Sequence, residues 1–268
     1  LSKIIITLPD NSTKEADAGA TVYEITGLIG KGLQKSALAA EVDGVIAGLD
    51  FPVVKDSRLN IFTFDSEKGK SVFWHSASHL MAQAVKRLYP DAVLAIGPSI
   101  ENGFYYDIDM KKALSPDDLE VIEKEMEKIV EEKLDIKGEE ISKADAIALF
   151  EKMNEKYKVE MLQELDAETV SIYRQGEFVD MCRGPHLVNT SEIKSFKLLS
   201  VAGAYWRGDE KNKMLQRIYG VAFPDKKELR KHLEFLEEVK KRDHRKLGKE
   251  LDLYSTHDDA GSGLIYWH

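Results

Sequence analysis

The sequence contains one cysteine, Cys182, in 268 residues. An internal disulfide is thereby excluded, and a free thiol suits a reducing compartment. No apolar run approaches the roughly 18 residues of a membrane span. The N-terminus has no apolar core of signal-peptide type, so a soluble, cytoplasmic protein without membrane contact is expected. Positive charge is not in excess either: 38 Lys and Arg face 47 Asp and Glu, a net of −9. That balance argues against indiscriminate nucleic-acid binding but leaves room for a local basic face. No sequence repeat is evident. The length suggests about two domains, and 43% apolar residues allow sizeable cores.

The charges that are present are segregated. Residues 117–135 hold nine acids against three lysines, and residues 226–249 hold ten Lys and Arg against five acids. Each run reads first as a solvated helix face, with phosphate binding as the other reading of the basic one.

Residues 1–63 have the pattern of a small separate domain. Lys3 to Leu8 is a β-branched run ended by the turn Pro9-Asp10-Asn11, and Ser12 to Ala16 can return as its hairpin partner. Thr21 can cap a helix carrying Val22, Ile25, Leu28 and Ile29, with Gly30 near its end. Ala39 to Val42 and Leu59 to Phe62 read as further strands, with Asp43-Gly44 as a turn. This is the order of a β-grasp, ubiquitin-like module. It carries no convincing catalytic constellation, and docking or regulation is its expected role. The polar stretch Asp65 to Lys70 reads as a linker.

Two stretches carry the chemistry. In Phe73 to Met81, His75 and His79 are four residues apart, so on a helix they stand one above the other and can address one ligand. Apolar residues at Phe73, Ala77, Leu80, Met81, Ala84, Val85 and Leu88 recur at three- and four-residue steps and predict that helix. The stripe is centred near Ala77, which puts both histidines on the opposite side, toward a second surface. Far downstream, Asp180 to His186 contains Gly184-Pro185, which disfavours helix and implies a tight loop presenting Cys182 and His186.

Between and after these stretches, Ala92 to Ile96 reads as a strand turned by Gly97-Pro98. Glu101 to Gly103 reads as a turn into the aromatic strand Phe104 to Asp109. Ser115-Pro116 caps a long helix through about Lys133. A strand at 135–139 and a helix from Ser142 through Phe150 follow, then strand-like runs at 196–201 and 214–222. Pro224 stops the last run, and a charged helix spans Lys226 to Lys246.

The ordered set HSASH (75–79), AIGP (95–98), NGFYYD (102–107), DMCRGPH (180–186), AGAYWRGD (202–209) and MLQRIYG (214–220) closely resembles the N-terminal part of the threonyl-tRNA synthetase family, over essentially the whole chain. The resemblance implies an α+β chain. A TGS domain of β-grasp fold would occupy 1–63, and a larger α+β editing domain, of the type shared with alanyl-tRNA synthetases, would occupy 64–225. A linker helix would follow at 226–242. Residues 243–268, with Arg242 to Leu253 and Gly263 to His268, resemble the start of the aminoacylation domain. The class II core, with its ATP and zinc sites, is absent from the sequence. The implied activity is hydrolysis of Ser-tRNA(Thr) to serine and tRNA(Thr), without charging. Full-length members are homodimers; the regions that pair them are mostly missing here, so a monomer is compatible with this chain.

The reaction needs a positioned water, a base, a stabilised oxyanion and a protonated leaving ribose oxygen. His75, His79 and His186 are the expected proton carriers, without individual roles. Asp180 is placed to read the serine ammonium or hydroxyl, and Cys182 is a polar wall, a ligand or a nucleophile. Lys158 matches a pocket lysine of the family, or is an ordinary surface lysine. Gly97 and Tyr106 are expected at the substrate, against the alternatives of turn glycine and core aromatic. Arg183 contacts phosphate or pairs on the surface. His75, His79, Cys182 and His186 also read as a tetrahedral zinc set, the alternative to a metal-free site. The family's reaction is described as metal-free, so no editing cofactor is the favoured expectation. A non-catalytic tRNA-binding or regulatory module is the alternative function; a metal-dependent hydrolase of small molecules has no substrate signal here.

Overall fold

The structure is a computed structural model and describes residues 2–255 and 265–268. It forms two compact units, Leu1–Pro224 and Asp225–His268.

The first unit begins with strands β1 (Lys3–Thr7), β2 (Thr13–Asp17) and β3 (Ala20–Thr21), then helices α1 (Val22–Ile29) and α2 (Lys31–Ser36). Strands β4 (Ala39–Val42), β5 (Val45–Ala47), β6 (Pro52–Val53) and β7 (Ser57–Phe62) follow. The main sheet runs β2-β1-β7-β4-β5, with β1 and β7 parallel at its centre. A hairpin, a helix laid on its sheet and a last strand returning beside the first define a β-grasp. Thr21 accepts from the Glu24 amide while Glu24 reaches back to the Thr21 amide, a capping box that fixes where α1 starts. Ile4, Ile6, Val22, Ile25, Val42 and Leu59 are buried together as its core.

Asp65 to Lys70 is not the linker its composition suggests. Ser66 caps helix α3 (Glu67–Leu88), accepting from the Gly69 amide, so the polar run is the solvated first turn of the histidine helix. Strands β8 (Val93–Leu94), β9 (Ser99–Ile100) and β10 (Gly103–Asp109), helix α4 (Pro116–Glu132), β11 (Ile136–Ser142), α5 (Lys143–Lys152) and α6 (Lys156–Glu164) follow. The unit closes with β12 (Thr169–Gln175), β13 (Phe178–Met181), β14 (Ser195–Tyr205) and β15 (Met214–Phe223). One sheet runs β14-β15-β10-β8, with β9 also paired to β10; a second runs β11-β12-β13. The architecture is α+β.

From Val72 to Val85, every residue of α3 except His75 is buried. Its core face meets Phe104, Tyr106, Ile108, Ile122, Met126 and Ile129, and the Trp74 indole donates to the Ala222 carbonyl at 2.8 Å, tying the helix to β15. The acidic α4 is only partly a solvated face. Glu123 accepts from the Leu198 amide and pairs with Lys197, while Glu132 is bidentate to Arg87 of α3.

The strand expected over 92–96 contracts to Val93–Leu94, because Ala95 and Asp107 bond outside the regular ladder. The strand expected at 135–139 lengthens to Ser142, in register with β12 throughout. In the second unit, the helix expected over 226–246 is two: α7 (Lys226–Lys241) and α8 (His244–Glu250). The chain leaves helical geometry at Arg242, and the Asp243 carbonyl accepts from the amides of Lys246 and Leu247 to start the next turn. Strands β16 (Tyr254–Ser255) and β17 (Tyr266–Trp267) pair antiparallel. Gly263 and Leu264 lie outside the described residues. Among the described residues, no helix is long and apolar enough to cross a membrane.

Candidate active site

The two histidine-bearing stretches meet. The rings of His75 and His186 stack with centroids 4.5 Å apart, His79 and His186 are 4.2 Å apart, and His75 and His79 are 4.9 Å apart. Helical spacing aligns the first two. The loop after β13 brings the third, and the Cys182 sulfur lies 2.9 Å from His186 Nε2.

Two glycines make this approach possible. The Gly97 backbone passes directly over the Tyr106 ring, where an added Cβ would lie 2.1 Å from the ring. At Gly184, φ is +58° and an added Cβ would lie 1.9 Å from the Tyr173 hydroxyl, so no L side chain fits either the conformation or the space. The peptide from Gly184 to Pro185 is cis.

Hydrogen-bond chemistry assigns the imidazole protons. The Gly97 carbonyl can only accept, so His75 Nδ1, 3.1 Å away, carries the proton and Nε2 keeps the lone pair. Ser76 donates its one hydroxyl proton to the Val72 carbonyl at 2.8 Å and accepts from the Leu187 amide at 3.0 Å. Its contact with His186 Nδ1 at 3.2 Å therefore has the imidazole as donor. His186 Nε2 is then an acceptor, and the Cys182 S–H donates to it. Burial pushes the Cys182 thiol up to about 12, with Asp180 adding to the effect, so it stays protonated. Burial lowers the pKa of all three histidines, that of His79 and His186 well below the ordinary imidazole value; the neighbouring imidazoles add to it for those two. All three are neutral near pH 7.

Beside the imidazoles sits a second buried group. Lys158, 3% exposed and carried on α6, places Nζ 2.5 Å from Asp180 Oδ1 and 3.1 Å from the Tyr106 hydroxyl. Tyr106 donates to Asp180 Oδ2, the Met181 amide donates to Oδ1 at 2.7 Å, and His79 Nε2 stands 3.5 Å from Oδ2. Both oxygens of Asp180 thus have partners within the protein. Burial and the neighbouring carboxylate hold the Tyr106 phenol well above its usual range, so it remains a donor.

Of the nine residues singled out from sequence, His75, His79, Lys158, Asp180, Cys182, His186, Gly97 and Tyr106 converge here. Arg183 lies exposed at the cleft mouth. Sequence reasoning missed three residues. Ser76 and Ser78, the latter donating toward the His75 and Gly97 carbonyls, orient the histidines; their signal was a pair of small hydroxyls inside the histidine motif of an otherwise apolar helix. Glu155 starts α6, accepting the Lys158 amide on its carbonyl while its carboxylate holds the Leu94 amide and Lys86. Nothing in its local sequence marks it.

The donor set suits a metal. One ligand atom each from His75, His79, Cys182 and His186 lie within 4.8 Å of one another, whereas atoms about 2.0–2.3 Å from a tetrahedral zinc are roughly 3.3–3.8 Å apart. Small rotations would close the set, so the residues fit a zinc ion as well as a metal-free site.

The fold and matched domains first define a class. Residues 4–63 match the TGS domain, and residues 170–219, containing Asp180, Cys182 and His186, match the threonyl and alanyl tRNA synthetase second additional domain. The chain is 53% identical over its full length to a threonine–tRNA ligase of Citrifermentans bemidjiense and 54% identical to one of Pelobacter propionicus. It is 53% identical over 266 residues to one of Clostridium tetani. The chain thus carries a TGS domain and a synthetase additional domain, and its homologues are threonine–tRNA ligases. It spans 42% of the length of each of these relatives.

Proposed function

We propose that this chain is the proofreading part of a threonyl-tRNA synthetase and hydrolyses the ester of Ser-tRNA(Thr). The need is chemical: threonine and serine differ by one methyl group, and a pocket separates such a pair by only about 1–3 kcal/mol. The observation that carries the reading is the gathering of three neutral imidazoles beside a buried lysine–carboxylate–phenol group.

His75 is the best base among the three. Its Nδ1 is anchored and, among the described residues, no hydrogen bond engages its Nε2, whereas His186 Nε2 is taken by the thiol and His79 Nε2 faces Asp180. Water gives a proton to His75 Nε2 as its oxygen attacks the ester carbon. The Lys158 ammonium supplies positive charge for the oxyanion, and Tyr106, its hydroxyl proton given to Asp180, accepts from Lys158 and holds it in place. The imidazolium then returns the proton to the departing ribose oxygen, leaving serine and tRNA(Thr). The protonated Cys182 is a donor and wall, not a nucleophile. With its oxygens engaged, Asp180 holds Lys158 and Tyr106 in place, and reads the serine ammonium only by exchanging a partner.

A zinc ion held by the three histidines and Cys182 would acidify a bound water; the proposed route uses the residues alone. On this reading residues 1–63 dock tRNA, 64–225 edit, 226–242 connect, and 243–268 begin an aminoacylation domain that would bind ATP and zinc. Homodimerisation belongs to the full-length cytoplasmic enzyme.

The test is incubation with Ser-tRNA(Thr) and Thr-tRNA(Thr). Serine is expected to be lost faster, with the rate strongly reduced by His75→Ala or His186→Ala. Binding of tRNA with no acceleration over buffer would favour a non-catalytic tRNA-binding module. Stoichiometric zinc whose chelation abolishes hydrolysis would replace the metal-free route.

A further inference from the structure

Between β13, which ends at Met181, and Asn189, which bridges to Asp135, the chain has no helix or strand. Cys182 and His186 lie in that stretch, and a loop tied only at its ends would let His186 drift from the other imidazoles. The larger domain holds the loop from one side: Leu187 is buried in the core around α3, and the Ser76 hydroxyl accepts from the Leu187 amide. The β-grasp domain holds it from the other.

Val188 makes the first of two contacts. It packs, half-buried, against the β-grasp core, while its carbonyl accepts the Ile136 amide of β11 at 2.9 Å. Successive residues thus enter two different cores, Leu187 one and Val188 the other. The second contact is at Pro185, where Gly48, just after β5, comes so near that an added Cβ would be 3.7 Å from the proline Cβ. These contacts flank His186 in sequence. The β-grasp domain is itself seated on the helix that bears His75 and His79. Leu38, Ala39 and Phe62 are buried in the core around α3, and Glu41 of β4 pairs with Lys68 in the first turn of that helix. One domain therefore touches both halves of the imidazole cluster's support.

We infer that the β-grasp domain braces the Cys182–His186 loop, with Val188 as the positioning residue that keeps His186 against His75 and His79. Its consequence for catalysis rests on the hydrolase reading; its consequence for the loop does not. Val188 touches no reacting atom and acts through His186. Seating adjacent side chains in separate cores sets the rotation of the backbone as well as its position, whereas Leu187 alone would leave the segment free to rock about one anchor. Rotation matters because the His186 ring must meet Ser76 at Nδ1 and the Cys182 sulfur at Nε2 together, and hydrogen bonds weaken steeply once misaligned. A domain without a catalytic group of its own thus determines the geometry of one.

The single cysteine makes the loop directly measurable in the 268-residue chain. Cys182 donates to His186 and is kept protonated by burial, so it reacts slowly with iodoacetamide at pH 8 while the loop is seated and faster when the loop opens. Val188→Ala is expected to speed alkylation about tenfold and to lower kcat for Ser-tRNA(Thr) about tenfold, with little change in KM. Val188→Ile, which refills the seat, is expected to keep both at wild-type values. Val22→Ala makes the same truncation at a fully buried position of the same core, on α1. It lowers the urea midpoint more than Val188→Ala but is expected to leave alkylation and kcat unchanged. Gly48→Val presses on Pro185 from the other domain, the nearer Asp50 carboxylate being an exposed side chain free to turn away. It is expected to speed alkylation too, and stands in if Val188→Ala fails to fold. Wild-type alkylation rates in Val188→Ala and Gly48→Val, or an equal rise in Val22→Ala, overturn the inference, as does faster alkylation with unchanged kcat. If the wild-type chain leaves Ser-tRNA(Thr) intact, the hydrolase reading falls alone, and faster alkylation of Val188→Ala still supports the brace.

Discussion

Replacing Ser76 by alanine removes one oxygen and tests the tautomer assignment at the centre of the site. Ser76 is fully buried, and its hydroxyl accepts both the Leu187 amide and His186 Nδ1–H. Leu187 is 1% exposed and His186 4% exposed, so neither N–H regains a water partner. Leaving a buried donor unsatisfied costs about 1–3 kcal/mol, and two donors sharing one acceptor give an expected destabilisation of roughly 2–4 kcal/mol. The Val72 carbonyl loses only a second, side-chain bond. Released from Nδ1, His186 can shift its proton to Nε2, which takes the acceptor away from the Cys182 thiol. Loss of a group that orients a histidine lowers activity on the order of ten- to a hundredfold. Urea unfolding followed by tryptophan fluorescence gives the stability change, and Ser-tRNA(Thr) deacylation gives kcat and KM. The expected pattern is a fall in kcat with little change in KM. A destabilisation below about 0.5 kcal/mol together with an unchanged kcat would refute the hydroxyl bridge and the tautomer read from it.

Acidification is the second test. Burial lowers the pKa of His75, His79 and His186, so each stays neutral to lower pH than a free imidazole. Deacylation should therefore remain level as pH falls to the ordinary value of 6.5 and decline only below it; a midpoint above 6.5 in kcat/KM would contradict neutral, buried imidazoles. Stability contributed by keeping them neutral is present above 6.5 and is lost as pH falls below it. Lys158→Met leaves Asp180 buried beside an apolar chain and should cost about 3–5 kcal/mol in unfolding free energy, unless Asp180→Asn is added to remove the stranded charge. A double variant no more stable than Lys158→Met would show that the pair is not the source. Glu192 runs opposite to the histidines: burial pushes its carboxyl up to about 7 from 4.5. Its folded-state stability is full below 4.5 and is lost as pH rises through 7, so Glu192→Gln should stabilise the chain at pH 8 by up to about 3 kcal/mol and leave it unchanged at pH 4. Equal effects at the two pH values would remove the argument.

Much of the fold was legible because it is written in local chemistry. The turn at Pro9 to Asn11, the caps at Thr21, Ser115 and Ser142, and the alternation of the strands depend on residues close in sequence. Helix α6 was not legible. Glu155 makes no side-chain cap at its start, and its nine residues are held by burying Tyr157, Lys158 and Leu162 against distant elements. The linker reading of Asp65 to Lys70 failed for a related reason: a polar first turn and a polar linker have the same composition, and only the Ser66 cap distinguishes them.

The sequence by itself determined that His75 and His79 share one helix face, that Gly184-Pro185 turns a loop bearing Cys182 and His186, and that one thiol is present without a disulfide partner. Periodicity and proline stereochemistry act within a few residues, so no distant contact is needed to read them. Only the tertiary structure decided that these stretches meet, that Lys158 is buried against Asp180 and Tyr106, and that Ser76 fixes the proton on His186. It also decided that Val188 packs against the β-grasp core. Each of these depends on residues separated by tens to more than a hundred positions being brought within hydrogen-bonding or packing distance, and on burial that changes which protonation state is stable.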